Sequence, residues 1–177
     1  FMRRQHGADA VSMRDVRRVK ILYEWFLEHK LPSSRFLQPM RRETACIILA
    51  LGHCYRCRLR SADLRQEYDE AIASELGGVI MSATMIQRCI REEQDGYLKE
   101  MKLPPGIALN HALRENVYVL LVCIVTKIPV FLVGEPGSSK SLSIVLLSSN
   151  MRGKDSESKF FRRLPEVKIT AFQGSES

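Results

Sequence analysis

No stretch of this sequence is long and apolar enough to serve as a membrane helix. The longest apolar run, residues 117–133, is broken by Lys127 and Pro129 and falls short of the roughly 20 residues a bilayer requires. A helix followed by a buried strand accounts for it better. The opening residues, FMRRQHGADA, lack an apolar core with a small-residue cleavage site behind it, so no export signal is expected. Cysteine is present in an odd number, five, which fits a reduced, intracellular compartment better than a disulfide framework. Aromatic residues are scarce, at 7%, and do not interleave with the arginines as a base-stacking platform requires. No internal repeat or low-complexity segment occurs. What the chain does have is 45% hydrophobic residues in 177, enough for a packed core in one ordinary domain or two incomplete ones.

The net charge of +7 invites a polyanion partner, but it is not gathered into one arm. It is spread over Arg14, Arg17, Arg18, Arg41, Arg42, Arg56, Arg58, Arg60, Arg65, Arg162 and Arg163. Solvated helix faces with a few phosphate contacts are expected, with no specific nucleic acid as partner.

Metal and nucleophile chemistry is thinly represented. Cys54 and Cys57 form one C-x-x-C beside His53, while Cys46, Cys89 and Cys123 stand singly. A structural zinc needs four ligands, normally two such pairs. A redox C-x-x-C opens a helix after a strand, whereas this one reads as the interior of a helix. Buried structural thiols are expected. His6, His29, His53 and His111 show no metal spacing, and Glu92 with Glu93 reads as a surface acidic pair.

Helical signals dominate the first hundred residues. Ser12 with Asp15 makes a capping box, and Val11 with Val16 is placed as a hydrophobic staple. Val16, Val19, Leu22, Tyr23 and Phe26 then recur at helical spacing, up to a stop at Pro32. A second helix is expected over 41–59, buried through Ala45, Ile48, Leu49 and Leu51, with Ile47 and Ala50 making its middle apolar nearly all round. Two more follow over 62–76 and 83–99, separated by Gly77-Gly78, the latter capped by Ser82. Leu103-Pro104-Pro105-Gly106 is turn chemistry and a module boundary. A helix over 110–126 comes next. Residues 128–133, IPVFLV, read as a fully apolar strand of a parallel sheet. A helix over 140–149, a polar loop over 151–158 and an alternating strand over 167–172 complete a βαβ unit.

Between the first strand and that helix stands Gly134-Glu135-Pro136-Gly137-Ser138-Ser139-Lys140-Ser141. The Walker A pattern is G-x-x-x-x-G-K-S/T. Its glycines let the backbone curl round a phosphate, and amide N–H groups at a helix N-terminus attract the anion. Gly134 and Gly137 would supply the turn, and the amides of Ser138, Ser139, Lys140 and Ser141 the cradle. Lys140 would reach the β- and γ-phosphates and Ser141 would hold Mg²⁺. Ser139 departs from the pattern, standing where it has glycine; a side chain there can crowd the loop or narrow its dihedrals. No apolar strand ending in an acidic pair follows Ser141 in these residues, so hydrolysis by this chain alone is not expected.

The motifs together resemble the mysterin family of giant AAA+ ATPases and RING-type E3 ubiquitin ligases. VFLVGEPGSSKSLS (130–143), with serine before the lysine, resembles that family's P-loop. LPPGIALNHALRENV (103–117) is similar to its lead-in, and FFRRLPEVKITAFQGSES (160–177) to the strand and loop that follow. VSMRDVRRVKILYEWF (11–26) and ALGHCYRCRLR (50–60) resemble lid helices. The resemblance implies an α/β P-loop core of AAA+ type preceded by an all-α lid, mostly helical, with a short parallel-sheet fragment. It divides the chain into a lid over 1–103 and the front of the next core over 104–177. It makes Ser139 a family trait and sets Arg14 in the place of a sensor 2 arginine serving an upstream site. It implies ATP and Mg²⁺ as cofactors, the rest of an AAA+ ring and the ubiquitin machinery as partners, and a cytoplasmic, lipid-droplet-associated whole protein. Two alternatives remain open: another tandem AAA+ motor of the dynein or midasin type, and a non-enzymatic helical module that binds polyanions.

Overall fold

A computed structural model of the chain describes residues 11–29, 40–77 and 82–170. The described helices are α1 (Met13–Glu28), α2 (Arg42–Cys54), α3 (Ala62–Glu75), α4 (Ala83–Lys99), α5 (His111–Thr126) and α6 (Lys140–Asn150). Short 3-10 turns lie at Arg56–Arg58, Gly153–Asp155 and Phe161–Arg163. The chain packs as two compact units, Phe1–Tyr97 and Leu98–Ser177. The Leu103–Gly106 turn lies within the second.

In the first unit the expected capping box opens α1. Ser12 Oγ accepts from the Asp15 N–H (3.3 Å), and the Asp15 carboxylate accepts from the Ser12 N–H (3.0 Å). The inward stripe differs from the expected one. Leu22, Trp25 and Phe26 are buried, but Val16 is 52% exposed, so the Val11–Val16 staple is not formed as a buried contact. Pro32, the expected stop, lies outside the described residues; α1 closes at Glu28. α1 packs on α2. The helix expected over 41–59 breaks at Tyr55, so Cys54 closes α2 and Cys57 sits on the following 3-10 turn rather than inside a helix. Ile47 is 37% exposed, but Ala45, Ile48, Leu49, Ala50 and Gly52 are buried, so α2 is covered on most of its faces. A Cβ on Gly52 would stand 3.1 Å from Ile90 Cδ1, which brings α2 close against α4. Trp25 stands 5.0 Å from Phe26 edge-on, and 6.3 Å from Tyr97 of α4, ring centre to ring centre.

α3 and α4 are joined by a polar knot. The carboxylate of Asp69, fully buried, accepts from Arg56 Nε (2.7 Å) and Nη2 (3.1 Å) and from Gln87 Nε2 (3.0 Å). Several of the dispersed arginines thus serve the fold. Arg56 pairs with Asp69, Arg58 and Arg18 face Asp15, and Arg65 Nε donates to the Leu59 carbonyl (2.9 Å).

In the second unit Asn110 caps α5 through the Leu113 N–H (2.8 Å). Leu113, Val117 and Leu121 of α5 are buried, as are Leu146 and Leu147 of α6, which packs on α5. Met151 and Phe161 complete this core. Asn150, at the end of α6, accepts from the Lys102 N–H (2.7 Å) and donates to the Lys102 carbonyl (3.1 Å), fastening the entry of the unit to α6.

No β-strand occurs among the described residues, which corrects the expected sheet fragment. Residues 128–133 run without strand pairing, with Phe131 93% and Val133 89% exposed. Of the second expected strand, residues 167–170 form none, and residues 171 and 172 lie outside the described residues. The reason is general. An apolar run signals that burial is favoured, but a strand exists only where a neighbouring backbone takes its N–H and C=O groups. Here the Ile128 N–H turns back to the Cys123 carbonyl of α5 (2.9 Å), and the Val167 N–H donates to the Met151 carbonyl (2.9 Å) without a ladder forming round it.

Candidate functional site

The glycine-rich loop lies between α5 and α6. α5 ends with Lys127 in the left-handed conformation (φ 56°), and the Ile128 N–H donates to the Cys123 carbonyl (2.9 Å). The chain then runs without regular structure to Gly134, turns, and enters α6 at Lys140. Two residues in the turn have positive φ: Gly137 (81°) and Ser139 (60°). A Cβ on Gly134 would meet Ser138 Oγ at 3.1 Å and Lys140 Nζ at 3.8 Å, so glycine there keeps the loop tight. The glycine that the Walker A pattern has at the position of Ser139 is explained by this backbone: the position is left-handed, and serine occupies it at φ 60°, ψ 17°.

The Lys140 ammonium is folded back on the loop. It donates to the carbonyls of Gly134 (2.6 Å) and Glu135 (2.7 Å) and to Ser138 Oγ (3.0 Å). Ser138 Oγ in turn donates to the Glu135 carbonyl (2.7 Å). The Ser138 N–H, one of the four amides expected to cradle a phosphate, points to the Glu135 carbonyl (3.3 Å). The N–H groups of Lys140 and Ser141, first in α6, have no intrahelical acceptor by position and carry the positive end of the helix dipole. Ser141 is exposed at the start of α6, and Glu135 and Pro136 are exposed in the turn. Loop and helix therefore bring together a cation, free-ended amides and a hydroxyl on one accessible turn, a donor set that fits a polyphosphate with its divalent cation.

Two residues not singled out by the sequence brace this loop. Asn116 Nδ2 of α5 donates to the Ser138 carbonyl (2.8 Å), and Asn110 Nδ2 reaches Ser139 Oγ (3.4 Å). The Ser139 carbonyl accepts from the Ser143 N–H (3.0 Å), so the peptides on both sides of Ser139 are held. No local pattern announces Asn116; its contact lies 22 residues away in the chain.

The other candidates separate clearly. Arg14 belongs to the first unit, exposed in the first turn of α1. Its neighbour Asp15 is buried; burial works against its charge, but the hydrogen bonds from Ser12 and the charges of Arg58 and Arg18 outweigh it and hold the carboxyl below its ordinary range. The thiol of Cys54 is pushed up to about 11 and that of Cys89 to about 12, chiefly by burial, so neither is a ready thiolate. Cys57 Sγ donates to the His53 carbonyl (2.6 Å). No group of three or more metal-ligating side chains gathers among the described residues. The expected Glu92–Glu93 surface pair is split. Glu92 is paired with exposed Arg88 (2.7 Å), while Glu93 accepts from buried Tyr97 Oη (2.6 Å), and burial pushes its carboxyl up to about 7. Among the described residues no helix is long and apolar enough to cross a membrane.

Residues 106–177 match the family model described as the RNF213 AAA domain. Along 99% of its length the chain is 33% identical to the mouse (Mus musculus) E3 ubiquitin-protein ligase RNF213 and 34% identical to the human (Homo sapiens) protein of that name. It is 35% identical, over the same share, to the zebrafish (Danio rerio) E3 ubiquitin-protein ligase rnf213-beta. The chain spans about 4% of the length of each of these relatives.

Proposed function

This chain belongs to the mysterin family, that of the RNF213 proteins, and from that premise we propose that its loop 134–141 binds Mg·ATP. The observation that carries the reading is the gathering of Lys140 Nζ against the Gly134 and Glu135 carbonyls at the N-terminus of α6, on a turn where Gly137 and Ser139 are left-handed. Lys140 would exchange those carbonyls for the β- and γ-phosphate oxygens. The Lys140 and Ser141 amides would face the phosphates, and the Ser141 hydroxyl would take one place on Mg²⁺. The bound cation neutralises phosphate charge. The role assigned to this segment is nucleotide binding.

Around that site we assign the layout the family resemblance implies. Residues 1–103 form lid helices of one AAA+ module and residues 104–177 the front of the next core. The exposed apolar segment 128–133 suits a sheet whose other strands come from elsewhere in the protein. Arg14 would contact nucleotide at the upstream site. The whole protein, cytoplasmic and lipid-droplet-associated, would use ATP binding in its AAA+ ring to regulate ubiquitin transfer.

The test is calorimetric titration of Mg·ATP into this chain, beside the Lys140→Ala variant, with folding checked by circular dichroism. Binding that is lost in the variant is expected. A folded chain that takes up no nucleotide refutes the reading. Steep salt dependence with no nucleotide dependence would favour a polyanion-binding helical module instead.

A further inference from the structure

The phosphate loop carries serine at a backbone position that favours glycine. Ser139 sits at φ 60°, ψ 17°, and it is also the residue from which α6 starts. A Cβ in the left-handed region crowds the following carbonyl, so the free loop would tend to relax toward an ordinary conformation. Such a relaxation rotates the peptides that flank Ser139. The carbonyl before it belongs to Ser138 and the carbonyl after it is its own.

Both are held. The Ser139 carbonyl is held within the unit by the first complete turn of α6, through the Ser143 N–H (3.0 Å). The Ser138 carbonyl is held from outside the loop, by Asn116 Nδ2 of α5 (2.8 Å). Asn116 is half-buried on a well-packed helix, with Leu113 and Val117 beside it fully buried, so its amide is presented from a rigid element. Asn110 approaches Ser139 Oγ from the same helix at 3.4 Å, a weaker contact. With the Ser138 carbonyl held toward Asn116, the N–H of the same planar peptide, that of Ser139, points the opposite way.

We infer that Asn116 is a positioning residue for phosphate binding: by holding the Ser138 carbonyl it keeps Ser139 left-handed, and so lets a serine do the work of the missing glycine. The inference rests on the proposed Mg·ATP site and adds to it the device by which the loop tolerates its departure from the Walker A pattern. Asn116 touches no phosphate in this scheme; it acts through the peptide joining Ser138 to Ser139.

The prediction is a dependence between two positions. Four chains are compared by Mg·ATP calorimetry and by thermal unfolding without nucleotide: the natural sequence, Asn116→Leu, Ser139→Gly and the double variant. Asn116→Leu alone should weaken Mg·ATP binding about five- to tenfold, the equivalent of one net hydrogen bond. In the Ser139→Gly background the same substitution should cost less than about twofold, because glycine adopts the left-handed conformation unaided. The unfolding midpoints should show the same rescue. A residue that merely packs would lower affinity or stability equally in both backgrounds, and that result overturns the inference while leaving the nucleotide site intact. Equal affinity in all four chains overturns it too. A folded natural chain that binds no Mg·ATP fails at the earlier step and removes the site, and the inference with it.

Discussion

Glu93 should make the first unit lose stability as pH rises from mildly acidic to neutral. It is half-buried on α4, and its carboxylate accepts from the hydroxyl of the buried Tyr97. Cys89 on the same helix and Cys46 on α2 feel its charge, and Arg42 and Glu43 act on Cys46 from the start of α2. Burial raises the carboxyl from an ordinary 4.5 to about 7, opposed in part by the Tyr97 hydrogen bond. The native state therefore holds a proton that the unfolded chain has released, and stability falls with pH across that interval. It is fully present below about 4.5 and lost as pH passes through about 7. The loss amounts to roughly 3 kcal/mol, a large fraction of the 5–15 kcal/mol that holds a domain together. Glu93→Gln keeps the size and the acceptor and cannot ionise. Urea unfolding followed by the fluorescence of Trp25, the sole tryptophan and a core residue of this unit, should give similar midpoints for both chains near pH 4.5. By pH 7.5 the variant should be ahead by a midpoint shift on the order of 1 M or more. Asp15 does not interfere. Its carboxyl is held below 3.8, so the stability it contributes is present above that pH and is lost only as pH falls further. Parallel curves for the two chains between pH 4.5 and 7.5 would refute the reasoning.

Three further outcomes are expected. Asp69→Ala leaves Arg56 without its buried partner and should destabilise the first unit by about 3–5 kcal/mol in the same fluorescence assay, whereas Asp69→Leu with Arg56→Met should recover most of it. Ser12→Ala removes one half of the α1 capping box and should lose about 1 kcal/mol in urea unfolding at neutral pH. Phe131→Ser, at a side chain 93% exposed, should move the thermal stability of this chain by no more than about 0.5 kcal/mol; a loss of several kcal/mol would mean that the segment is packed after all.

Helix positions were legible because their signals are local. Ser12 with Asp15, and Ser82, each accept from an N–H three residues ahead, and each marks a helix start that the structure bears out. The tight turn at 134–141 was legible for a related reason: such a backbone restricts which residues can occupy it, and Gly134 and Gly137 meet that restriction where spacing alone suggested them. The errors share an origin as well. The expected strand at 128–133 was an inference from apolar content, which reports a tendency toward burial and not the neighbour that would supply it. Val16 was assigned to the covered face of α1 by its spacing, but spacing defines a stripe without saying where along it the partner helix ends.

The sequence by itself determined where helices begin and which eight residues form the candidate phosphate loop, since both are written in contacts between near neighbours. Its likeness to the RNF213 proteins runs along 99% of its length, which explains why several separated motifs pointed to one family. Tertiary structure alone decided that Glu93 meets the hydroxyl of the buried Tyr97 while Glu92 pairs with exposed Arg88, that Arg56 closes on Asp69 13 residues away, and that Asn116 reaches the Ser138 carbonyl across 22. A charged or amide side chain on a helix reads the same whether it faces water or a partner. Which it faces depends on what packs against that side of the helix, and that is settled only when residues distant in the chain are brought together.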